Sequence, residues 1–256
     1  MDFGISKDMS SKILSTATIG LQSELIEIEV DAVSAGLHQF NIVGLPDAAV
    51  KESRDRVSAA IRNSRFKPPH QCGRITVNLA PADLKKEGPA YDLPIALGFL
   101  LATKQIKFDH ANKIFLGELA LDGKIRPIKG VLPMAILAKK KNISDIFVPS
   151  ENAAEASVIE GLNIYPASDL LSLISHLTDQ KKITPFPVLN LGSLFVDDEH
   201  LCEMSHIKGQ EHAKRALEIA AAGGHNVILN GPPGSGKSLL AKTMPSILPK
   251  LTIPEA

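Results

Sequence analysis

The chain has 256 residues, 44% of them hydrophobic, and its 28 basic and 28 acidic side chains cancel to a formal net charge of zero. That length bounds it to one or two domains, and the neutral balance excludes a global field calling for nucleic acid or an anionic membrane, so any such surface is a local patch. Two cysteines, Cys72 and Cys202, stand far apart and outside any CxxC pair, which argues against a zinc ribbon and implies no disulfide framework.

The opening MDFGISKDMSSKIL lacks the basic head and apolar core of a signal peptide. The greasy stretch Leu93 to Thr103 is well short of the roughly 20 residues that span a bilayer. A soluble cytoplasmic chain with no membrane partner is expected. In ELIEIEVDA, Ile26, Ile28, Val30 and Ala32 point one way and Glu27, Glu29 and Asp31 the other, the alternation of a strand with one buried and one wet face. QFNIV and GRITVNLA read as further strands. Between them, PDAAVKESRDRVSAAIRNS reads as a helix capped by Asp47, with Val50, Val57 and Ile61 near one stripe. PADLKKEGPAYDLPIALGFLLAT is a loop leading into an apolar helix, with Asp92 as its N-cap and Pro94 in the first turn.

KIFLGELALDGKIRPI reads as two strands around a tight turn at Asp122-Gly123. A helix over about 130–141, a strand DIFVP, a helix SENAAEASVIEG, a strand LNIYP and a closing helix SDLLSLISHL complete a first α/β domain over 1–178. Residues 179–203 carry two prolines and no sustained period, so they read as a linker, partly docked through Phe186, Leu189 and Phe195. A second unit over 204–256 starts with the helix IKGQEHAKRALEIAAAG, ending at Gly223-Gly224. NVILN follows as a continuous apolar strand of the kind buried on both faces.

GPPGSGKS then fits G-x-x-x-x-G-K-S/T, and each of its residues, Gly231, Pro232, Pro233, Gly234, Ser235, Gly236, Lys237 and Ser238, is a candidate nucleotide contact. The glycines let the backbone take positive φ and bring its N–H groups close to phosphate oxygens. The helix starting near Lys237 aims its positive end at the same anion. Lys237 is placed to reach the β and γ phosphates of ATP, and Ser238 to ligate Mg²⁺.

FNIVGLPDAAVKESRDRV, GRITVNLAPADLKKEGPAYDLPIALG, LGELALDGKIRPIKGVLP, VPSENAAEA and IKGQEHAKRALEIAAAGGHNVILNGPPGSGKS, in that order, resemble the YifB/ComM proteins, the magnesium chelatase-like AAA+ ATPases. The resemblance runs from about Ile13 to the last residue. It implies an α/β chain with a Lon-protease-like (ribosomal protein S5 domain 2-like) N-terminal domain, followed by the start of a P-loop AAA+ domain. It also implies ATP and Mg²⁺ as cofactors, a hexameric ring in full-length relatives, and motor action on DNA in branch migration and transformation. Eighteen residues follow Ser238, too few for the acidic Mg²⁺ motif, the sensors and the arginine fingers of the family. The chain is therefore expected to be an N-terminal portion with weak or undetectable ATP binding and no turnover, since phosphoryl transfer depends almost wholly on such positioning groups.

Lon-type proteases use a Ser–Lys pair. Their serine lies in a GPSAG-like stretch, and the matching GPAYD places Ala90 in that slot; their lysine slot falls at Leu132, with Lys129 on the wrong side of the glycine. Peptidase chemistry is not expected, and no catalytic residue is assigned. The residues 51–74 hold seven basic side chains (Lys51, Arg54, Arg56, Arg62, Arg65, Lys67 and Arg74) against Glu52 and Asp55. Two readings stand: a contact surface for nucleic-acid phosphates through Lys51, Arg54, Arg62, Arg65, Lys67, Arg74, Lys85 and Lys86, or a solvated helix face with pairs such as Glu52 with Arg56. The eight histidines show no metal spacing. Asp47, Asp83 and Asp92 read as caps or turn formers. A second functional reading, a non-enzymatic binding or assembly module, is kept beside the ATP-driven motor.

Overall fold

The structure is a computed structural model that describes residues 10–33, 38–189 and 202–249. The chain divides into two compact units, Met1–Leu189 and Asn190–Ala256. The first unit holds nine strands: β1 (Ser10–Ile19), β2 (Gln22–Val33), β3 (Gln39–Val43), β4 (Arg74–Ala80), β5 (Lys113–Phe115), β6 (Glu118–Leu119), β7 (Ile125–Arg126), β8 (Asp145–Pro149) and β9 (Asn163–Ala167), counted among the described residues. Seven of them form one sheet in the order β3-β4-β2-β1-β5-β8-β9, and β6 and β7 make a separate pair. β2 runs antiparallel to β1 and β4, and the other four pairings of the large sheet are parallel. The result is a mixed α/β unit with a mostly parallel sheet. Helices α1 (Ala48–Asn63) and α2 (Asp92–Ala102) contribute to one core with the β1, β2 and β4 side chains, whereas α3 (Val131–Lys140) and α4 (Ala153–Ala156) close a second with β5, β8 and β9. α5 (Leu170–Leu177) returns to the first core.

The alternation in β2 does what its period dictates: Ile26, Ile28, Val30 and Ala32 are buried, each large side chain contributing about 1.5–3 kcal/mol on burial. α1 is capped by Asp47, whose carboxylate accepts the Val50 amide at 2.7 Å, and it buries Val50, Val57 and Ile61. β1 has no counterpart in the expectations above. It pairs on both sides, with β2 and β5, and its inner positions include Ser15 and Thr16, both buried. Small hydroxyl residues in a strand covered on both faces erase the apolar signal on which period-reading depends.

The stretch expected as a simple hairpin divides at Gly117. Residues upstream enter the main sheet as β5, and only the short strands β6 and β7 pair about the Asp122-Gly123 turn. Gly117 has φ +155°, and a Cβ there would lie 2.6 Å from Ile125 Cγ2, so the break needs glycine. SENAAEASVIEG is not one helix but a short 3₁₀ turn followed by α4. The Ser157 carbonyl accepts the Leu189 amide at 3.2 Å, while its hydroxyl returns to the Ala154 carbonyl at 2.9 Å, a local competitor to helix continuation.

The described start of the expected linker, residues 179–189, packs onto the first unit. The Ile183 amide donates to His176 Nδ1 at 2.8 Å, and the Phe186 amide to the Ile164 carbonyl at 2.7 Å, on the outer edge of β9. Phe186 also packs against the second core; Phe195 lies outside the described residues. No helix among the described residues is long and apolar enough to cross a membrane.

The second unit carries α6 (Glu211–Gly223), ended by a left-handed Gly224, and α7 (Lys237–Thr243). The expected strand NVILN is not a strand here. Residues 226–230 have no ladder partner among the described residues, and Ile228 is 92% exposed. A strand exists only through its neighbours, and the described part of this unit offers helices alone. Leu229 is partly buried against a small cluster of Ile207, Leu217 and Leu240.

Candidate functional site

Gly231 to Ser238 form the loop that leads into α7. Gly234 and Gly236 have φ of +82° and +81°, and nothing lies within 4 Å of a Cβ built on either. The backbone therefore uses the left-handed freedom of glycine on an open face. The amides of Gly234, Gly236, Lys237 and Ser238 have no acceptor among the described residues. Lys237 folds over the loop, its Nζ donating to the carbonyls of Gly231 at 2.8 Å and Pro232 at 2.7 Å and to Ser235 Oγ at 3.3 Å. Ser235 Oγ in turn donates to the Pro232 carbonyl at 2.9 Å. Four unsatisfied N–H groups and one ammonium on a single turn form a donor set that suits phosphate oxygens. The loop fits the triphosphate expected of it, with Ser238 on the first turn of α7, where a Mg²⁺ ligand is expected.

In the larger unit a second concavity of about 330 Å³ lies between the walls 87–91 and 127–129. Ala90, the residue in the serine slot, lines it, as does Lys129; Leu132 does not. A methyl group stands where acyl transfer needs a hydroxyl, so the pocket has no nucleophile at that position. Tyr91 packs in the core at 2% exposure and also lines this pocket.

Behind the pocket lies a charged group that the sequence reading took for a cap. Asp92 is the first residue of α2 rather than its N-cap, and it is fully buried. Its carboxylate accepts from Arg56 Nε at 2.7 Å, Arg56 Nη2 at 3.1 Å, the Leu119 amide at 3.2 Å and Ser53 Oγ. Burial pushes the Asp92 carboxyl up, and the hydrogen bonds from Arg56 and Ser53 oppose that rise. The hydrogen bond to Asp92 holds the Arg56 guanidinium above its ordinary value. Glu52, its expected partner, lies 3.8 Å away as a secondary contact. The signal available in sequence was Arg56 one turn after Glu52 on α1; nothing in the spacing pointed to a residue thirty-six positions on.

The basic residues divide. Lys51, Arg54 and Arg62 stand along the exposed face of α1, with Asp55 paired to Arg54 at 3.4 Å. Arg65 and Lys67 meet Lys104 around a cleft of about 600 Å³, and the Gln105 side chain holds the Lys67 backbone there with bonds of 2.7 and 2.9 Å. Arg74 is exposed at the start of β4, and Lys85 pairs with Glu87 at 2.7 Å. Lys86 does not belong to a surface patch. It is fully buried, its ammonium donates to the Pro81 carbonyl, and desolvation lowers its pKa. A phosphate contact through Lys86 is thereby withdrawn, and Lys104, a lone lysine just past α2 in sequence, takes a place beside Arg65 and Lys67. Asp47 is a cap as expected, and also accepts the Gly88 amide at 3.1 Å. Among the described residues no group of three or more His, Cys, Asp or Glu side chains is placed to hold a metal.

Comparison with known proteins brings these features together. Residues 28–152 match the family model described as subunit ChlI of Mg-chelatase, and residues 203–256 match that of magnesium chelatase, subunit ChlI. The chain is 44% identical over 246 residues to competence protein ComM of Haemophilus influenzae, covering 95% of this chain and 48% of that protein. It is 41% identical over 254 residues to YifB of Escherichia coli, covering 97% of this chain and 48% of that one. Lon protease 2 of Bacillus subtilis is 26% identical over 178 residues, 61% of this chain and 32% of its own length. The chain thus spans about half the length of ComM and YifB.

Proposed function

We propose, from the premise that this chain belongs to the YifB/ComM family of Mg-chelatase-related AAA+ ATPases, that its smaller unit holds MgATP at Gly231–Ser238 in an ATP-driven motor acting on DNA. One observation carries the reading: four backbone amides without an acceptor among the described residues and the Lys237 ammonium share one glycine-opened turn. Lys237 would hold the β and γ phosphates and Ser238 the Mg²⁺. The bound metal ion would supply charge neutralisation between those phosphates. The larger unit is read as Lon-like and free of peptidase chemistry, and a hexameric ring as the working assembly. Hydrogen exchange with and without millimolar MgATP tests the nucleotide site. At tenfold excess over Kd, exchange at Gly234, Gly236, Lys237 and Ser238 slows about tenfold by mass action. Unchanged exchange at all four would remove the reading.

DNA is proposed as the polymer moved, supported by the family resemblance and by the cations of α1 and the Arg65–Lys67–Lys104 cleft. One relative is named for competence. Anisotropy of a fluorescein-labelled duplex across a salt series checks it. The doubly charge-reversed Arg65→Glu, Lys67→Glu protein should bind more weakly and lose about 2 from the slope of log K against log salt, near 0.9 per phosphate contact. An unchanged slope would place the DNA elsewhere.

A second reading, a binding or assembly module, is favoured by the pocket at Ala90, a shaped concavity with a methyl group in the serine slot. It is compatible with the first, since the two readings use different units.

A further inference from the structure

We propose that the pocket between residues 87–91 and 127–129 binds an extended stretch of polypeptide without cutting it. The proposal deepens the binding-module reading and is independent of nucleotide at Gly231–Ser238.

The ligand chemistry follows from what the walls leave unmatched. Tyr91 is 2% exposed and lines the pocket, yet its hydroxyl has no hydrogen-bond partner among the described residues. Nor is that oxygen among the fully enclosed unpaired atoms, which are Ser15 Oγ and Thr16 Oγ1. It therefore keeps contact with solvent beside the pocket that Tyr91 lines, and is free to donate to or accept from a ligand there. Burial raises its pKa, so it stays a neutral phenol. The Ala90 amide, and both the amide and carbonyl of Lys129, are likewise unpaired among the described residues. Residues on both edges of the pocket thus carry backbone donors and an acceptor unused among the described residues, groups that an added extended chain can take up.

Both edges are held rigid. The backbone of Ile128 is gripped by the Asn152 side chain through bonds of 3.0 and 2.9 Å. Across the pocket, the Ala90 carbonyl accepts the Gly117 amide at 3.1 Å, and the Gly88 amide is held by Asp47. Asp92, tied to Arg56 and to the Leu119 amide, anchors the wall just behind Tyr91. Such preorganisation favours a ligand that brings its own donors and acceptors.

The charges point the same way. Glu87 and Glu118 line the pocket, but each is already paired, with Lys85 at 2.7 Å and Arg126 at 3.3 Å. Among the described residues Lys129 is the only cation lining it. Two carboxylates beside one ammonium disfavour a phosphate or another strong anion. A neutral main chain meets no such penalty. The lining of Pro89, Ala90, Ile128 and Met134 accepts an apolar side chain, and about 330 Å³ suits a short stretch of chain.

The test places a reporter in the serine slot. Ala90→Cys is alkylated with iodoacetamide with or without dephosphorylated β-casein, a polypeptide lacking fixed structure, and each cysteine is followed by mass spectrometry. Cys72 and Cys202 serve as internal references. At tenfold excess over Kd, the casein should slow alkylation of the introduced thiol about tenfold and leave Cys72 unchanged. In the otherwise native chain, Tyr91→Phe should weaken casein binding by anisotropy several-fold, with unaltered circular dichroism. Casein that binds but leaves the introduced thiol at its free rate overturns the pocket assignment while the module reading stands. Casein that does not bind at all overturns the proposal and leaves assembly as the module's role. Equal protection by single-stranded DNA, or equal slowing of every cysteine, also overturns the proposal, as does cleavage of the casein.

Discussion

Arg56→Ala should destabilise the larger unit by about 3 kcal/mol, the low end of the range for removing one partner of a buried ion pair. Asp92 keeps no exposed surface, whereas 20% of the Arg56 side chain reaches solvent, so water can partly replace the guanidinium and moderates the loss. The Leu119 amide and Ser53 hydroxyl still bond to the carboxylate, but neither brings a charge. On a domain of this size that loss lowers the melting temperature by about 6–12 °C. The pH dependence has a fixed sign. Asp92 is already displaced upward by burial, and without Arg56 it moves further up. The penalty is then complete above the carboxyl's unfolded value and its raised folded one, and shrinks as pH falls through the raised value, because the folded state takes up the proton. Thermal melts across about pH 4 to 8 check it. A variant as stable as the parent at neutral pH would show that the pair contributes nothing to the α1–α2 junction.

The elements that were legible in the sequence are those whose burial is one-sided or whose ends carry a chemical signal. β2 alternates because one face is wet, and α1 begins at Asp47 because its carboxylate completes the first turn. The left-handed Gly224 ends α6 where the Gly-Gly pair suggested. What escaped was non-local. β1 owes its place to partners on both sides, and its Ser15 and Thr16 carry no apolar period. Asp92 sits one residue from a capping position in sequence, and only the approach of α1 turns it into the hub of an ion pair. Lys86 next to Lys85 looks like part of a charge run, until the fold puts one ammonium in solvent and the other against a buried carbonyl. The loop Gly231–Ser238 was legible as a glycine-opened turn because its signal is local: glycines at fixed offsets, then a lysine and a serine entering a helix. The strand expected before it does not form among the described residues, since apolar composition supplies no second segment for a ladder.

Lys237→Ala should abolish most nucleotide affinity while leaving the fold intact. Among the described residues the ammonium bonds only to loop atoms, the Gly231 and Pro232 carbonyls and Ser235 Oγ, so its removal empties no core and should alter stability by less than about 0.5 kcal/mol. Its contribution lies with the ligand. A charge-assisted hydrogen bond to a phosphate oxygen is worth roughly 1.5–3 kcal/mol, or about tenfold to a hundredfold in Kd. Arginine is a poor substitute, since its planar fork cannot sit among three oxygens as a compact ammonium does.

Titration of a fluorescent ATP analogue with Mg²⁺ into the parent chain and the Lys237→Ala variant therefore probes the central claim most directly. Weak but saturable binding by the parent, at least about tenfold tighter than by the variant, is the predicted result. Equal affinity in the two proteins, at matched melting temperatures, would contradict it.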